Sequence, residues 1–109
     1  MADVRICFFG DSFTAGVGDP ELLGWTGRVC RSALERDLSL ELTAYNLGVR
    51  RETSRDIAER WEAETAPRLP ACVEARLVFS FGANDTTADS GRVRVSPESS
   101  LRNARDILG

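Results

Sequence analysis

The sequence of 109 residues contains no histidine and no lysine, and each absence excludes a class of chemistry. A His-Glu-x-x-His zinc site cannot form without histidine, and a P-loop cannot form without its lysine. Schiff-base catalysis also requires lysine. The 14 basic residues are therefore all arginine, scattered among 17 acidic residues. Nucleic-acid binding needs basic residues clustered on one face, so no nucleic-acid partner is predicted.

Cysteine is scarce as well, and its spacing is uninformative for metals or disulfides. Cys7, Cys30 and Cys72 lie far apart, and no Cys-x-x-Cys pair occurs. This pattern predicts neither a disulfide framework nor a zinc knuckle. We expect three buried thiols in a cytoplasmic protein. The N-terminal apolar run is about four residues long, too short for a signal peptide, and no membrane span is predicted.

Three apolar segments predict β-strands. They cover Val4–Phe9, Leu40–Gly48 and Ala75–Gly82. The first two end at glycine-containing turns. The third is a nearly continuous apolar run, which is typical of a strand covered on both faces.

Helices are predicted between and after these strands. Asp19-Pro20 and Ser96-Pro97 are typical helix starts, and Thr53 with Asp56 forms a capping-box pattern for a helix that ends before Pro67. Apolar residues at helical spacing predict the buried faces of the three helices: Trp25, Val29, Cys30, Ala33 and Leu34; Ile57, Ala58 and Trp61; Leu101, Ala104 and Leu108.

The predicted order is βαβαβα, which indicates an α/β fold with a parallel sheet and right-handed crossovers. Doubly wound domains usually contain about five strands or more, whereas only three are predicted here. We therefore interpret residues 1–109 as the N-terminal part of a single, larger domain. A missing C-terminal segment or a second chain would complete the sheet.

Each predicted strand ends in a loop that carries a polar or flexible group. These loops are Gly10-Asp11-Ser12, Asn46-Leu47-Gly48 and Gly82-Ala83-Asn84-Asp85. Ligands of open parallel sheets bind beyond the carboxyl ends of the strands, so the three loops are expected to converge. Taken singly, they are ordinary turn chemistry: a helix N-cap, a turn glycine and an Asx-turn. Together they offer a hydroxyl, main-chain N–H groups and a side-chain amide, the donors of an oxyanion hole.

In this order, the three loops resemble the conserved blocks I, II and III of the SGNH, or GDSL, hydrolases. The resemblance runs over essentially the whole sequence and implies a three-layer α/β/α flavodoxin-like sheet. It implies that Ser12 is the nucleophile of an ester or thioester hydrolase. The N–H groups of Ser12 and Gly48 and the side chain of Asn84 would bind the oxyanion of a small-molecule acyl ester, without a metal or organic cofactor.

Two departures from the family pattern affect the prediction. The Asp-x-x-His motif that supplies the general base is absent, and no histidine can replace it. Arg51 occupies a place where family members often have glycine, which puts Arg50 and Arg51 near the mouth of the expected site.

Two other functions remain open from the sequence. Without a base, the chain could be an inactive SGNH-like scaffold. Alternatively, Ser12–Gly16 resembles in composition a flavodoxin-type phosphate loop, which would make the chain a phosphate- or flavin-binding module. The spacing of Gly10, Gly16 and Gly18 does not match Gly-x-Gly-x-x-Gly, which argues against a dinucleotide.

Overall fold

The computed structural model describes residues 3–109, and its centre is a parallel three-stranded sheet. The strands are β1 (Asp3–Gly10), β2 (Glu41–Gly48) and β3 (Glu74–Ser80), in the spatial order β2-β1-β3. Gly10 lies opposite Gly48 on one side and opposite Ser80 on the other. The carboxyl ends of all three strands therefore lie at one edge of the sheet, as the sequence predicts.

Four helices and a small hairpin complete the described chain. The helices are α1 (Ser12–Ala15), α2 (Gly24–Arg36), α3 (Ser54–Thr65) and α4 (Pro97–Leu108). A 3-10 turn at Asn84–Thr86 and an antiparallel hairpin of β4 (Ala88–Asp89) and β5 (Arg92–Val93) separate β3 from α4. The sequence predicts only a polar loop in this region.

The core forms where the second half of β1 meets α3 and α4. Cys7 and Phe9 of β1 are fully buried together with Ile57 of α3 and nearly buried Ile107 of α4. The ring of Phe9 stacks on that of Phe79 of β3 at a centroid distance of 5.4 Å. The central strand is thus covered by its neighbours and its helices, which fixes the position of the loop that follows Gly10.

The predicted start of α2 is wrong, because Asp19 serves a turn and not the first residues of a helix. Its carboxylate accepts hydrogen bonds from the N–H groups of Glu21 (3.0 Å) and Gly24 (2.8 Å). Leu22 has a φ of 61°, which breaks any helix between these residues. The helix begins at Gly24, whose N–H the Asp19 side chain still caps from a distance in sequence.

The prediction that the third strand is covered on both faces is also wrong. β3 is an edge strand in the described chain, and most of its residues are exposed. Leu77 in its middle is 43% exposed. An apolar run predicts burial, but burial of both faces requires a packed element on each face, and among residues 3–109 no helix packs extensively on β3.

The outcome differs between the last two helices. The capping box of Thr53 and Asp56 is present, and α3 buries Ile57 and ends before Pro67, as predicted. In α4, by contrast, Ile107 is the buried residue, whereas Leu101 and Leu108 of the predicted face are exposed. The predicted face is wrong because the contact of α4 with α3 and the core falls on a different side of the helix.

The cysteines divide into two groups. Cys7 and Cys30 are buried, and burial raises the pKa of both thiols, so they resist ionisation. Cys72 is exposed in the turn before β3, which corrects the prediction that all three are core residues.

The two tryptophans differ in burial, and α2 buries only part of its predicted apolar stripe. Trp61 packs against the core with its ring edge-on to Phe79, whereas Trp25 of α2 is 38% exposed. Of the apolar stripe predicted on α2, Cys30 is buried while Val29 and Leu34 are largely exposed. Within residues 3–109, no helix has the length and apolar character needed to cross a membrane.

Candidate active site

Ser12 is the first residue of α1, and one residue, Asp11, separates it from the end of β1. The preceding Asp11 is the N-cap of this short helix, and its Oδ1 accepts a hydrogen bond from the Phe13 N–H at 3.0 Å. Ser12 is half-buried, and neither its N–H nor its hydroxyl makes a hydrogen bond within residues 3–109. A hydroxyl and an N–H of one residue are therefore both free at the carboxyl edge of the sheet.

Close backbone packing fixes the turn that carries Ser12. A Cβ on Gly48 would lie 2.4 Å from the backbone nitrogen of Ala15, and one on Gly10 would lie 2.5 Å from the carbonyl oxygen of Ser80. Real Cβ atoms do not approach backbone this closely, so only glycine fits at either place. Helix α1 consequently lies directly on the end of β2.

Asn46 connects β2 with α1 and α2 through its side chain. Its Nδ2 donates to the carbonyl oxygen of Thr14 at 2.8 Å and to the Oγ1 of Thr26 at 3.3 Å. Its Oδ1 accepts the Gly48 N–H at 3.0 Å. The N–H predicted to serve the oxyanion is thus engaged within the protein.

The loop after β2 contains an arginine in an uncommon conformation. The Val49 N–H donates to the Gly10 carbonyl (3.0 Å), and the Glu52 N–H donates to the Val49 carbonyl (3.3 Å), which closes a turn. Arg51, the third residue of this turn, has a φ of 70°, a region that favours glycine. Its carbonyl oxygen accepts a hydrogen bond of 2.6 Å from Arg94, and its N–H makes none within residues 3–109.

Asn84 lies in the 3-10 turn after β3 and reaches the loop that follows β2. Its Nδ2 donates to the carbonyl oxygen of Glu52 at 2.9 Å. A side-chain amide carries two N–H donors, so one remains for a ligand. This contact joins the turn after β3 to the segment that follows the second sequence block.

Asp85 anchors the same turn through a buried network. Its carboxylate, 1% exposed, accepts the Ser54 N–H at 2.7 Å and the Ser100 hydroxyl at 2.6 Å. The Oγ of Ser54 in turn accepts a hydrogen bond from the Asn103 side chain at 3.0 Å. Asp85 therefore ties the turn to α3 and α4. Ser100 and Asn103 of this network carry no sequence signal that could have identified them.

Sequence reasoning missed Arg60, which supports the end of β2 from α3. Its guanidinium donates to the Leu47 carbonyl at 2.6 Å, forms ion pairs with Glu52 and Glu64, and lies 5.3 Å from the centre of the Phe9 ring. An amphipathic helix contains many arginines, and nothing in the sequence distinguishes this one.

The structure thus brings the three predicted loops to one edge of the sheet, and Asn84 of the third bonds the segment that follows the second. Ser12 presents free groups, Asn84 keeps one free N–H, and Gly48 does not present its N–H. A cleft of about 480 Å³ lies elsewhere, between α3 and α4, and contains none of these three residues. Across residues 3–109, no cluster of three or more cysteines and carboxylates could hold a metal ion.

Comparison with known proteins agrees with this geometry. The profile of the GDSL-like Lipase/Acylhydrolase family matches residues 8–108. The chain therefore belongs to this family. No protein of curated function matches the sequence.

Solved structures show the same fold in chains about twice as long. AlinE4, an SGNH-hydrolase family esterase, is 27% identical with a TM-score of 0.71, over 99% of this chain and 52% of its own. A catalytic mutant of Axe2, an acetylxylan esterase from Geobacillus stearothermophilus, is 21% identical with a TM-score of 0.78 over 98% of this chain and 53% of its own. LAE5, an alpha/beta hydrolase enzyme from the metagenome of Lake Arreo, Spain, is 21% identical with a TM-score of 0.76, over 98% and 54%. The chain spans about half the length of these structures and has their α/β fold.

Proposed function

We propose that the protein is a serine hydrolase of carboxylic esters or thioesters, with Ser12 as its nucleophile. The observation that carries the proposal is that the Ser12 hydroxyl and N–H are both free, at the first residue of a helix that follows the central strand. In acyl transfer, the hydroxyl oxygen forms a bond to the carbonyl carbon, and the carbonyl oxygen becomes an oxyanion.

The oxyanion donors in this proposal are the Ser12 N–H, the Gly48 N–H and the Asn84 side chain. The free N–H of Ser12 and the second N–H of Asn84 support two of the three assignments. The Gly48 N–H must exchange Asn46 Oδ1 for the oxyanion before it can contribute. Loss of one such donor typically lowers the rate by about 100- to 1,000-fold.

The general base is proposed to lie outside this chain. Asp11 caps α1 and Asp85 is bound to Ser54 and Ser100, so both carboxylates have structural tasks. A histidine, oriented by an aspartate of an Asp-x-x-His motif, would accept the Ser12 proton and later return it to the leaving group. The free edge of β3 suits the additional segment or second chain that would carry this motif.

The proposed substrates are small acyl esters. AlinE4 and Axe2 are described as an esterase and an acetylxylan esterase, which supports an ester without identifying its acyl group or alcohol. The proposal needs no metal or organic cofactor, and it assigns the enzyme to the cytoplasm.

Covalent labelling tests the nucleophile. A fluorophosphonate should label the full-length product of the gene at Ser12, and Ser12→Ala should lose both labelling and turnover of p-nitrophenyl acetate. Ser32→Ala, at an exposed serine of α2, is the matched control and should keep both. Equal labelling of Ser12→Ala and wild type would remove the assignment.

The alternative of an inactive scaffold is supported by one observation, the complete absence of histidine from residues 1–109. The reading frame beyond Gly109 separates the two functions. A downstream Asp-x-x-His supports the hydrolase, whereas a stop codon without a co-purifying histidine-bearing chain supports the scaffold. The family assignment favours the hydrolase and the inactive scaffold over a flavin-binding module. Bound flavin would also give the protein a yellow colour.

A further inference from the structure

We propose that Arg94 is a positioning residue for the candidate active site. Through its hydrogen bond to the Arg51 carbonyl, it keeps Arg51 in the left-handed conformation that presents the free Arg51 N–H as a donor to the site. The inference rests on the proposed hydrolase function. It replaces the Gly48 N–H of the proposed oxyanion hole with the Arg51 N–H.

Gly48 is poorly placed to donate a hydrogen bond to an oxyanion. Its N–H is bonded to Asn46 Oδ1, and Asn46 is itself held by Thr14 and Thr26. The Cα of Gly48 is covered by α1, since an added Cβ would be 2.4 Å from Ala15 N. Freeing this N–H would require movement of a side chain that joins three elements.

Arg51 has the properties of a donor that Gly48 lacks. Its N–H makes no hydrogen bond within residues 3–109, and its φ of 70° places it at the turn position where type II turns require φ above zero. The carbonyl oxygen of the neighbouring Glu52 accepts a hydrogen bond from Asn84 Nδ2 at 2.9 Å. The free Arg51 N–H and the free Asn84 N–H therefore lie on two loops that contact each other.

The left-handed conformation of Arg51 requires contacts that maintain it. Arginine has a Cβ, which makes the left-handed region unfavourable. The 2.6 Å bond from Arg94 Nη1 joins residues 43 positions apart and, with the bond from the Glu52 N–H to the Val49 carbonyl, holds the peptide plane between Arg51 and Glu52. Arg94 is half-buried beside the β4–β5 hairpin, where its own N–H donates to the Thr87 carbonyl at 2.9 Å.

Two variants separate positioning from general structural support. Arg94→Gln in the full-length product of the gene should lower kcat/KM for p-nitrophenyl acetate by about 5- to 30-fold, mainly through kcat, because residue 51 leaves the left-handed region. Arg94→Lys retains one donor and should recover most of the activity. Arg92→Gln, at an exposed arginine of the same hairpin, is the matched control and should behave as wild type.

The decisive comparison places Arg94→Gln on an Arg51→Gly background. Glycine occupies the left-handed region without help, so the loss caused by Arg94→Gln should shrink to less than about threefold. If the loss on this background equals that in the wild type, Arg94 acts in another way and the inference is wrong.

A measurement independent of activity completes the test. Backbone chemical shifts of residue 51 report its φ, and they should show the left-handed region in wild type and its loss in Arg94→Gln. Unchanged shifts would overturn the inference even if Ser12 proves to be the nucleophile. Conversely, an inactive protein whose residue 51 responds as described would contradict the hydrolase function while the effect of Arg94 on the loop stands.

Discussion

The two loops that flank Ser12 are fixed by different physical means. The end of β2 is fixed by shape, because Gly48 presses against the backbone of α1 without space for a methyl group. The turn after β3 is fixed by polar contacts, because the buried Asp85 carboxylate binds Ser54 and Ser100. Steric fixation tolerates no added atom, whereas polar fixation tolerates substitution only while donors and acceptors still match.

This difference indicates which parts of the candidate site can move. The backbone near Gly48 can shift only if α1 shifts with it, so Ser12 and the end of β2 form one unit. The Asn84 side chain contacts the loop that continues from that unit through the carbonyl of Glu52, at 2.9 Å. Adjustment to a ligand is therefore expected between the two loops and not within either.

Substitution of Gly48 should give the largest effect, since it breaks the sterically fixed side. In Gly48→Ala, the new Cβ would contact Ala15 N at 2.4 Å and Asp11 O at 2.9 Å, both backbone atoms. We expect the free energy of unfolding to fall by about 3 kcal/mol, measured by urea denaturation.

Gly91→Ala provides the control for this substitution. Gly91 has a φ of 78° and open space around its Cα, so alanine there introduces backbone strain without a clash. Its cost should be about 1 kcal/mol. Equal losses for the two variants would show that packing on α1 does not fix the end of β2.

Substitution of Asp85 should have the next largest effect, on the polar side. Asp85→Ala leaves the buried Ser54 N–H without an acceptor, which should lower the free energy of unfolding by about 2 kcal/mol. Asp85→Asn keeps an acceptor oxygen for that N–H and should lose clearly less. Asp89→Ala, at an exposed aspartate of β4, should change little, and a loss as large as that of Asp85→Ala would contradict the role of the network.

The smallest effect concerns pH and the turn before α2. The hydrogen bond from the Glu21 N–H, with those from Gly24 and Arg28, lowers the pKa of Asp19 below its ordinary value. A carboxylate with a lowered pKa stabilises the fold above its unfolded pKa of about 3.9 and loses this contribution as the pH falls through the folded value.

Thermal unfolding between about pH 5 and about pH 2, a range that includes the ordinary aspartate pKa of about 3.9, would measure this effect. The stability of wild type should fall more steeply over this range than that of Asp19→Asn. Parallel curves would show that the turn does not depend on the ionised carboxylate.

The sequence predicted the three strands of the parallel sheet and the three longer helices, but not α1 or the β4–β5 hairpin. Alternating apolar periods predicted a parallel sheet, and the capping box of Thr53 and Asp56 predicted the start of α3, because both signals are local. The start of α2 was wrong for an instructive reason. Asp19 does bind helix N–H groups, but it does so across a turn that includes a left-handed Leu22.

The candidate site was predictable in its location and not in its hydrogen bonds. Parallel pairing requires the loops after β1, β2 and β3 to share one edge, so Ser12, Gly48 and Asn84 could be placed there. Whether the Gly48 N–H is free depends on the rotamer of Asn46, and the Arg51 carbonyl is bound by Arg94, far away in sequence. Such long-range polar contacts leave no periodic signal.

The exposure of Cys72 has a practical consequence for studying the sheet edge. Its thiol is accessible, whereas Cys7 and Cys30 are buried, so a maleimide dye should attach at one position without any substitution. That position precedes the first residue of β3 by two residues. The emission of a dye on Cys72 is therefore expected to change when another polypeptide docks against β3.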